Sequence, residues 1–111
     1  MTIDFSDFLK VDIRVGTIIK AIPYPESRKP ALKVWVDFGP NIGEKKSSAQ
    51  LTKNYNPELL VGKQVLAVIN LSPRQIGKFM SEILILGVPD SEGEVILLQP
   101  NTLVPNGGRL Y

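Results

Sequence analysis

Leu32-Lys33-Val34-Trp35-Val36-Asp37-Phe38 decides the fold, because every second residue in it is apolar. Leu32, Val34, Val36 and Phe38 fall on one face and Lys33, Trp35 and Asp37 on the other, the period of a strand with one buried side. Trp35 therefore lies off the core face. Two uses fit it there: packing under a neighbouring loop or at a subunit contact, or direct contact with a ligand.

Working outward, residues 23–30 carry three prolines in eight positions and read as a loop. Before them Val11-Asp12-Ile13-Arg14-Val15 alternates with period two. Gly16 interrupts it, and Ile18, Ile19 and Ile22 continue in another register, which predicts a long strand bent at the glycine or a bulge. Phe5, Phe8 and Leu9, at i, i+3 and i+4, predict a short helix ahead of it. After the glycine-bounded turn at 39–43, residues 45–51 form a polar, weak strand whose Ser47, Ser48 and Gln50 are candidates to face a ligand. Asn56-Pro57-Glu58, with Gly62 downstream, supplies a cap, a proline at the first helical position and a stop, which predicts one short helix. Residues 63–71, 81–88 and 94–99 are apolar strands, and a strand or two should follow.

Short strands, regular glycine and proline punctuation and one helix after the third strand predict an all-β chain: a five-stranded OB-fold barrel filling a single domain over 1–111. Ile3, Phe5, Phe8 and Leu9 at one end, and Leu103, Val104, Leu110 and Tyr111 at the other, are apolar groups outside such a core. The extensions 1–10 and 100–111 are therefore expected to form a dimer seam.

The chain has no cysteine and no histidine, which removes disulfides, thiolate or imidazole metal sites, thiol nucleophiles and the usual base near pH 7. No glycine-rich loop ends in Gly-Lys-Ser/Thr, so nothing marks a nucleotide site. Asp90, Glu92 and Glu94 cluster, but Pro89 and Gly93 make them an acidic hairpin turn, and neither catalysis nor a cofactor is expected. Residues 1–7 are acidic where a secretory signal is basic, and the longest apolar runs are far too short to span a bilayer, so a cytoplasmic protein with no membrane insertion is expected.

Charge is uneven although the net is only +2. Residues 28–78 hold nine cations against three acids, a net +6, and residues 79–108 hold four acids and no base. One face should attract anions. Its centre is the tip Asn70-Leu71-Ser72-Pro73-Arg74-Gln75-Ile76-Gly77-Lys78, held between two strands and followed by Ser81 and Glu82. Asn70, Arg74, Gln75, Lys78, Ser81 and Glu82 are candidates there, with Lys33 and Lys46 as further cations.

Phe8-Leu9-Lys10-Val11-Asp12-Ile13-Arg14-Val15-Gly16, Val36-Asp37-Phe38-Gly39, the helix near 55–62 and Val68-Ile69-Asn70-Leu71-Ser72-Pro73-Arg74 together resemble the tRNA-binding OB domains found at the C-terminus of methionyl-tRNA synthetases and as stand-alone dimers. Ser47-Ser48-Ala49-Gln50-Leu51-Thr52, Pro73-Arg74-Gln75-Ile76-Gly77 and Val104-Pro105-Asn106-Gly107-Gly108-Arg109-Leu110 are closer to that family's small bacterial chaperones associated with protein export. The resemblance implies a homodimer that binds unfolded or precursor polypeptides without ATP, in contact with export machinery. Ala31-Leu32-Lys33 and Ser81-Glu82-Ile83-Leu84 depart from the tRNA-binding pattern, which usually has an acid before the lysine and Gly-Met after Ser-Glu. The basic surface remains, so tRNA binding is implied as a residual activity and, in the alternative reading, as the main one, with an aromatic or apolar side chain supporting an unpaired base.

Overall fold

The structure, a computed structural model, describes residues 1–111. In chain order the elements are α1 (Phe5–Leu9), β1 (Ile13–Pro23), β2 (Leu32–Asp37), β3 (Glu44–Ala49), α2 (Pro57–Leu60), β4 (Gln64–Val68), β5 (Arg74–Ile76), β6 (Phe79–Ser81), β7 (Leu84–Ile85), β8 (Gly87–Pro89) and β9 (Val95–Leu97). Five of the strands make one antiparallel sheet in the order β3-β2-β1-β4-β7. The long β1 serves two partners: its first half pairs with β4, and its second half with β2. A strand shared in this way curls the sheet into the nearly closed barrel of an OB-type, all-β fold.

The alternation of β2 holds along its length. Leu32, Val34, Val36 and Phe38 are each at most 2% exposed and meet Ile18, Leu60 and Val65 in the core. Burying each of these side chains contributes roughly 1.5–3 kcal/mol. Helix α2 closes the bottom of the barrel with Leu60, and the Asn56 side chain accepts from the Glu58 amide as an N-cap should.

The register change in β1 falls between Ile18 and Lys20 and not at Gly16. Gly16 is needed for close packing: a Cβ there would lie 2.5 Å from Val36 Cγ1 and 2.8 Å from Phe38 Cδ1. The bulge has a consequence for the surface. Ile18 faces inward opposite Val36, and strict alternation would bring residue 20 inward too; the extra residue turns Lys20 outward, opposite Trp35.

Residues 81–88 were expected as one strand and are instead divided among β6, β7 and β8, because their partners change from β5 to β4 to β9. The expected strand after residue 100 is also absent as a strand. The tail runs beside the half of β1 that β2 leaves uncovered, Gly107 donating to Val15, Val15 to Gly108 and Leu110 to Ile13. The Gln64 side chain fixes the tail by donating to the Val104 carbonyl at 2.6 Å and accepting from the Val104 amide at 3.1 Å. Arg109 then donates to the Leu9 carbonyl at 2.7 Å, so the two terminal segments adjoin. Ile3, Phe5, Leu103 and Tyr111 remain exposed beyond them.

Candidate functional site

Closure of the barrel between β3 and the chain after β6 uses side chains as much as backbone. The Glu82 amide donates to the Lys46 carbonyl at 2.8 Å and the Lys46 amide to Glu82 Oε1 at 3.1 Å. The Ser48 amide donates to Ser81 Oγ at 3.1 Å. Ser81 and Glu82 thus close the seam, and Ser47, 2% exposed, points into it from the inner face of β3.

Below these bonds the seam opens. β3 and β7 are the two edges of the sheet and do not pair. A groove of about 380 Å³ runs between them, lined by Ser48, Ala49, Gln50, Leu51, Leu84, Ile85 and Val95, with Arg74 and Ile76 of the β5–β6 hairpin over it. Gln50 offers its amide to no partner in the fold. The Arg74 guanidinium is in no ion pair; the three that exist are Lys10–Asp7, Arg14–Asp12 and Arg109–Asp12, all near the termini. Arg28 and Lys29 continue this cationic margin beyond Gln50 and Gln75.

The hairpin's other side presents a different surface. Phe79 packs edge-on to Trp35 with ring centres 5.8 Å apart, and Tyr24 lies tilted to Phe79 at the same 5.8 Å. Lysines occupy the ring faces. Lys20 Nζ is 4.7 Å from the Trp35 ring centre, Lys33 Nζ 4.5 Å from that of Tyr24 and 5.2 Å from Phe79, and Lys46 Nζ 5.3 Å from Phe79. Cation–π attraction fixes ammonium groups in this way without neutralising them. Trp35 is thus packed against Phe79 of the neighbouring hairpin, with Lys20 over its ring. Lys78 stands at the hairpin tip beside Lys33, where Glu26 also borders a cleft of about 460 Å³.

The candidates thus divide. Arg74, Gln50, Ser47 and Ser48 share the groove; Lys33, Trp35, Lys46 and Lys78 share the outer face. Gln75 turns its amide back to the Gly77 carbonyl at 3.0 Å. Asn70 is apart from both: it accepts from the Asp12 amide at 2.9 Å and donates to the Lys10 carbonyl at 2.7 Å, tying β4 to the entry of β1. Tyr24, Phe79 and Lys20 were not expected in the site. Tyr24 comes from the proline-rich loop and Phe79 from the strand after the tip, and only the bulge brings Lys20 out.

At the far hairpin, Asp90 holds its carboxyl below the usual aspartate range. The Asn54 side chain contributes most, followed by the amides of Glu94 and Glu92. The Asp90 carboxylate thereby ties the turn together.

This is an OB barrel with a cationic outer face and a side groove, and the family it belongs to is that of the "Putative tRNA binding domain", whose model matches residues 13–109. Among solved structures the chain is similar to the chaperone CsaA of Bacillus anthracis, at 47% identity with all of both chains covered and a TM-score of 0.92. It is equally similar in shape to the CsaA chaperone protein of Picrophilus torridus, at 44% identity over 99% of this chain and 100% of that one, TM-score 0.92. It is also 38% identical to the methionine–tRNA ligase of Porphyromonas gingivalis over 97% of its own length, but spans only 15% of that protein.

Proposed function

We propose that this chain is a homodimeric molecular chaperone that captures unfolded or export-bound polypeptides in the cytoplasm, reversibly, without ATP and without catalysing a reaction. The groove between the unpaired edges β3 and β7 carries this reading. It joins apolar side chains for burial, Gln50 main-chain groups free to bond an extended segment, and an Arg74 guanidinium open to an acidic residue of the client. The likeness to two CsaA chaperones over their full lengths supports it. The exposed apolar groups of the adjoining termini support the homodimer. No helix is long and apolar enough to cross a membrane.

A purified sample in excess over several unrelated unfolding proteins should suppress their aggregation with no nucleotide added. Suppression should survive moderate salt, because apolar burial is not screened while exposed ion pairs are. If aggregation is unchanged while tRNA is bound tightly, the chain is an RNA-binding module instead.

That second reading, a structure-specific tRNA-binding protein, is favoured by the lysine-bearing outer face and by the family match.

A further inference from the structure

The outer face of β1, β2 and β3 has cations of one kind. Lys20, Trp35 and Lys46 stand side by side across the three strands, paired in register, and Lys33 follows two residues along β2. None of these lysines has a carboxylate partner within ion-pair distance, although Glu26 borders the cleft next to Lys33. The arginines lie elsewhere, Arg74 over the groove and Arg28 beyond it. Planar carboxylates are best matched by the guanidinium fork, whereas lysine serves as a point charge for phosphate.

The rings beneath these lysines are poorly placed to accept a base: Tyr24 and Phe79 are buried, at 4% and 8% exposed, and Lys20 lies over Trp35. Lysine ammonium groups already cover faces of all three rings. A nucleobase would have to displace a lysine from the ring it sought.

We propose that this face is a site for chains of phosphate, held by Lys20, Lys33 and Lys46 with Lys78 at its margin, and that it takes such chains without stacking a base. Phosphodiester and phosphoanhydride chains share the required chemistry, a repeating tetrahedral anion. The ring contacts hold the ammonium groups apart and ready, so less side-chain ordering remains to be done on binding. The inference deepens the RNA reading and is independent of polypeptide capture in the groove.

Trp35 is the sole tryptophan, and a phosphate anion seated on the Lys20 ammonium beside its ring should change its emission, so intrinsic fluorescence reports occupancy. The intact protein is titrated with inorganic polyphosphate, an abasic oligodeoxyribose phosphate, oligouridylate and polyglutamate, all matched in charge number, and separately with tRNA. One stacked base is worth roughly fivefold or more in affinity, so the abasic chain and oligouridylate should agree within about twofold. Polyphosphate should also bind, and polyglutamate at least about tenfold more weakly. The variant carrying Lys20→Gln, Lys33→Gln and Lys46→Gln should lose about two units of log-log salt slope for oligouridylate and the abasic chain. Arginine at the same three positions should restore the slope, and Lys63→Gln, outside the face, should leave it unchanged. Circular dichroism of each variant separates loss of contacts from loss of fold.

Oligouridylate binding more than about fivefold tighter than the abasic chain would overturn the inference. So would polyglutamate binding equally well, or a triple variant that folds and keeps its slope. If tRNA binds tightly but polyphosphate and the abasic chain do not, the inference falls and the RNA reading stands; if no phosphate chain binds, both fall.

Discussion

The Tyr24 hydroxyl donates to the Ile76 carbonyl at 2.5 Å, joining the loop after β1 to the β5–β6 hairpin across the barrel mouth. The same hydroxyl lies 2.5 Å from where a Gly77 side chain would begin, so the turn at Gly77, with φ of 62°, is fitted to this contact. The hairpin that carries Arg74 on one side and Phe79 on the other is held in place from its tip. Tyr24→Phe keeps the ring and removes the bond, and should lower stability by about 1 kcal/mol. Thermal melting measures the cost. Amide exchange at residues 76–79 should quicken more than in the core, because the loss is local.

Gly16→Ala tests the close packing of β1 on β2. A methyl placed 2.5 Å from Val36 Cγ1 and 2.8 Å from Phe38 Cδ1 cannot be absorbed by a flexible side-chain end, because both neighbours are core residues. Overpacking of this kind costs typically about 1–3 kcal/mol. Denaturant unfolding should show a lower midpoint with unchanged slope.

Asn70 shows how far the sequence could be read. The alternation of residues 32–38 and the capped helix are legible, because each follows from local chemistry, whereas the expected tip holds a strand of its own, Arg74–Ile76, that pairs with Phe79–Ser81. Asn70 looked like part of the tip because it is polar and adjoins the basic turn. Its partners, the Asp12 amide and the Lys10 carbonyl, lie some sixty residues away, and nothing local announces them. Lys20 was missed for a related reason, since a bulge is settled by pairing with two other strands. Ser47 lies on the inner face of β3, as period two requires with Lys46 and Ser48 opposite Trp35 and Lys33, and from there it lines the groove. Asn70→Ala should lower stability by about 1 kcal/mol, with both exchanged bonds near the surface, and leave tRNA and polypeptide affinity unchanged. A weakened affinity with an intact melting curve would return Asn70 to the binding surface.

Asp90 predicts a pH response confined to the β8–β9 turn. Its carboxylate accepts from Asn54 and from the amides of Glu94 and Glu92, and these bonds lower its folded pKa. A depressed carboxyl stabilises the fold fully above the ordinary aspartate range and loses that contribution as pH falls through the lowered folded value. Acidification should therefore loosen the turn only below the usual carboxylate range. Amide exchange at Glu92 and Glu94, followed against pH, should show the transition, and Asp90→Asn should remove it.

The termini bear on assembly. Helix α1 buries none of its residues, and Ile3 and Phe5 stand 65% and 70% exposed while Leu103 is 83% exposed. Arg109 brings the two segments together by bonding the Leu9 carbonyl, and Asp12 holds Arg109 and Arg14 in turn. Exposed apolar groups on two segments that adjoin offer a surface for a self-complementary seam, since each copy supplies the same surface to the other. The intact chain should sediment as a dimer at micromolar concentration, and removal of residues 1–9 should yield monomers or aggregates. Arg109→Ala is the milder test: it leaves the apolar groups in place but frees the terminal segments from each other, so it should weaken dimerisation while the barrel melts nearly as before. An intact chain that stays a stable, soluble monomer at that concentration would rule out the seam and leave the groove of each barrel to act alone.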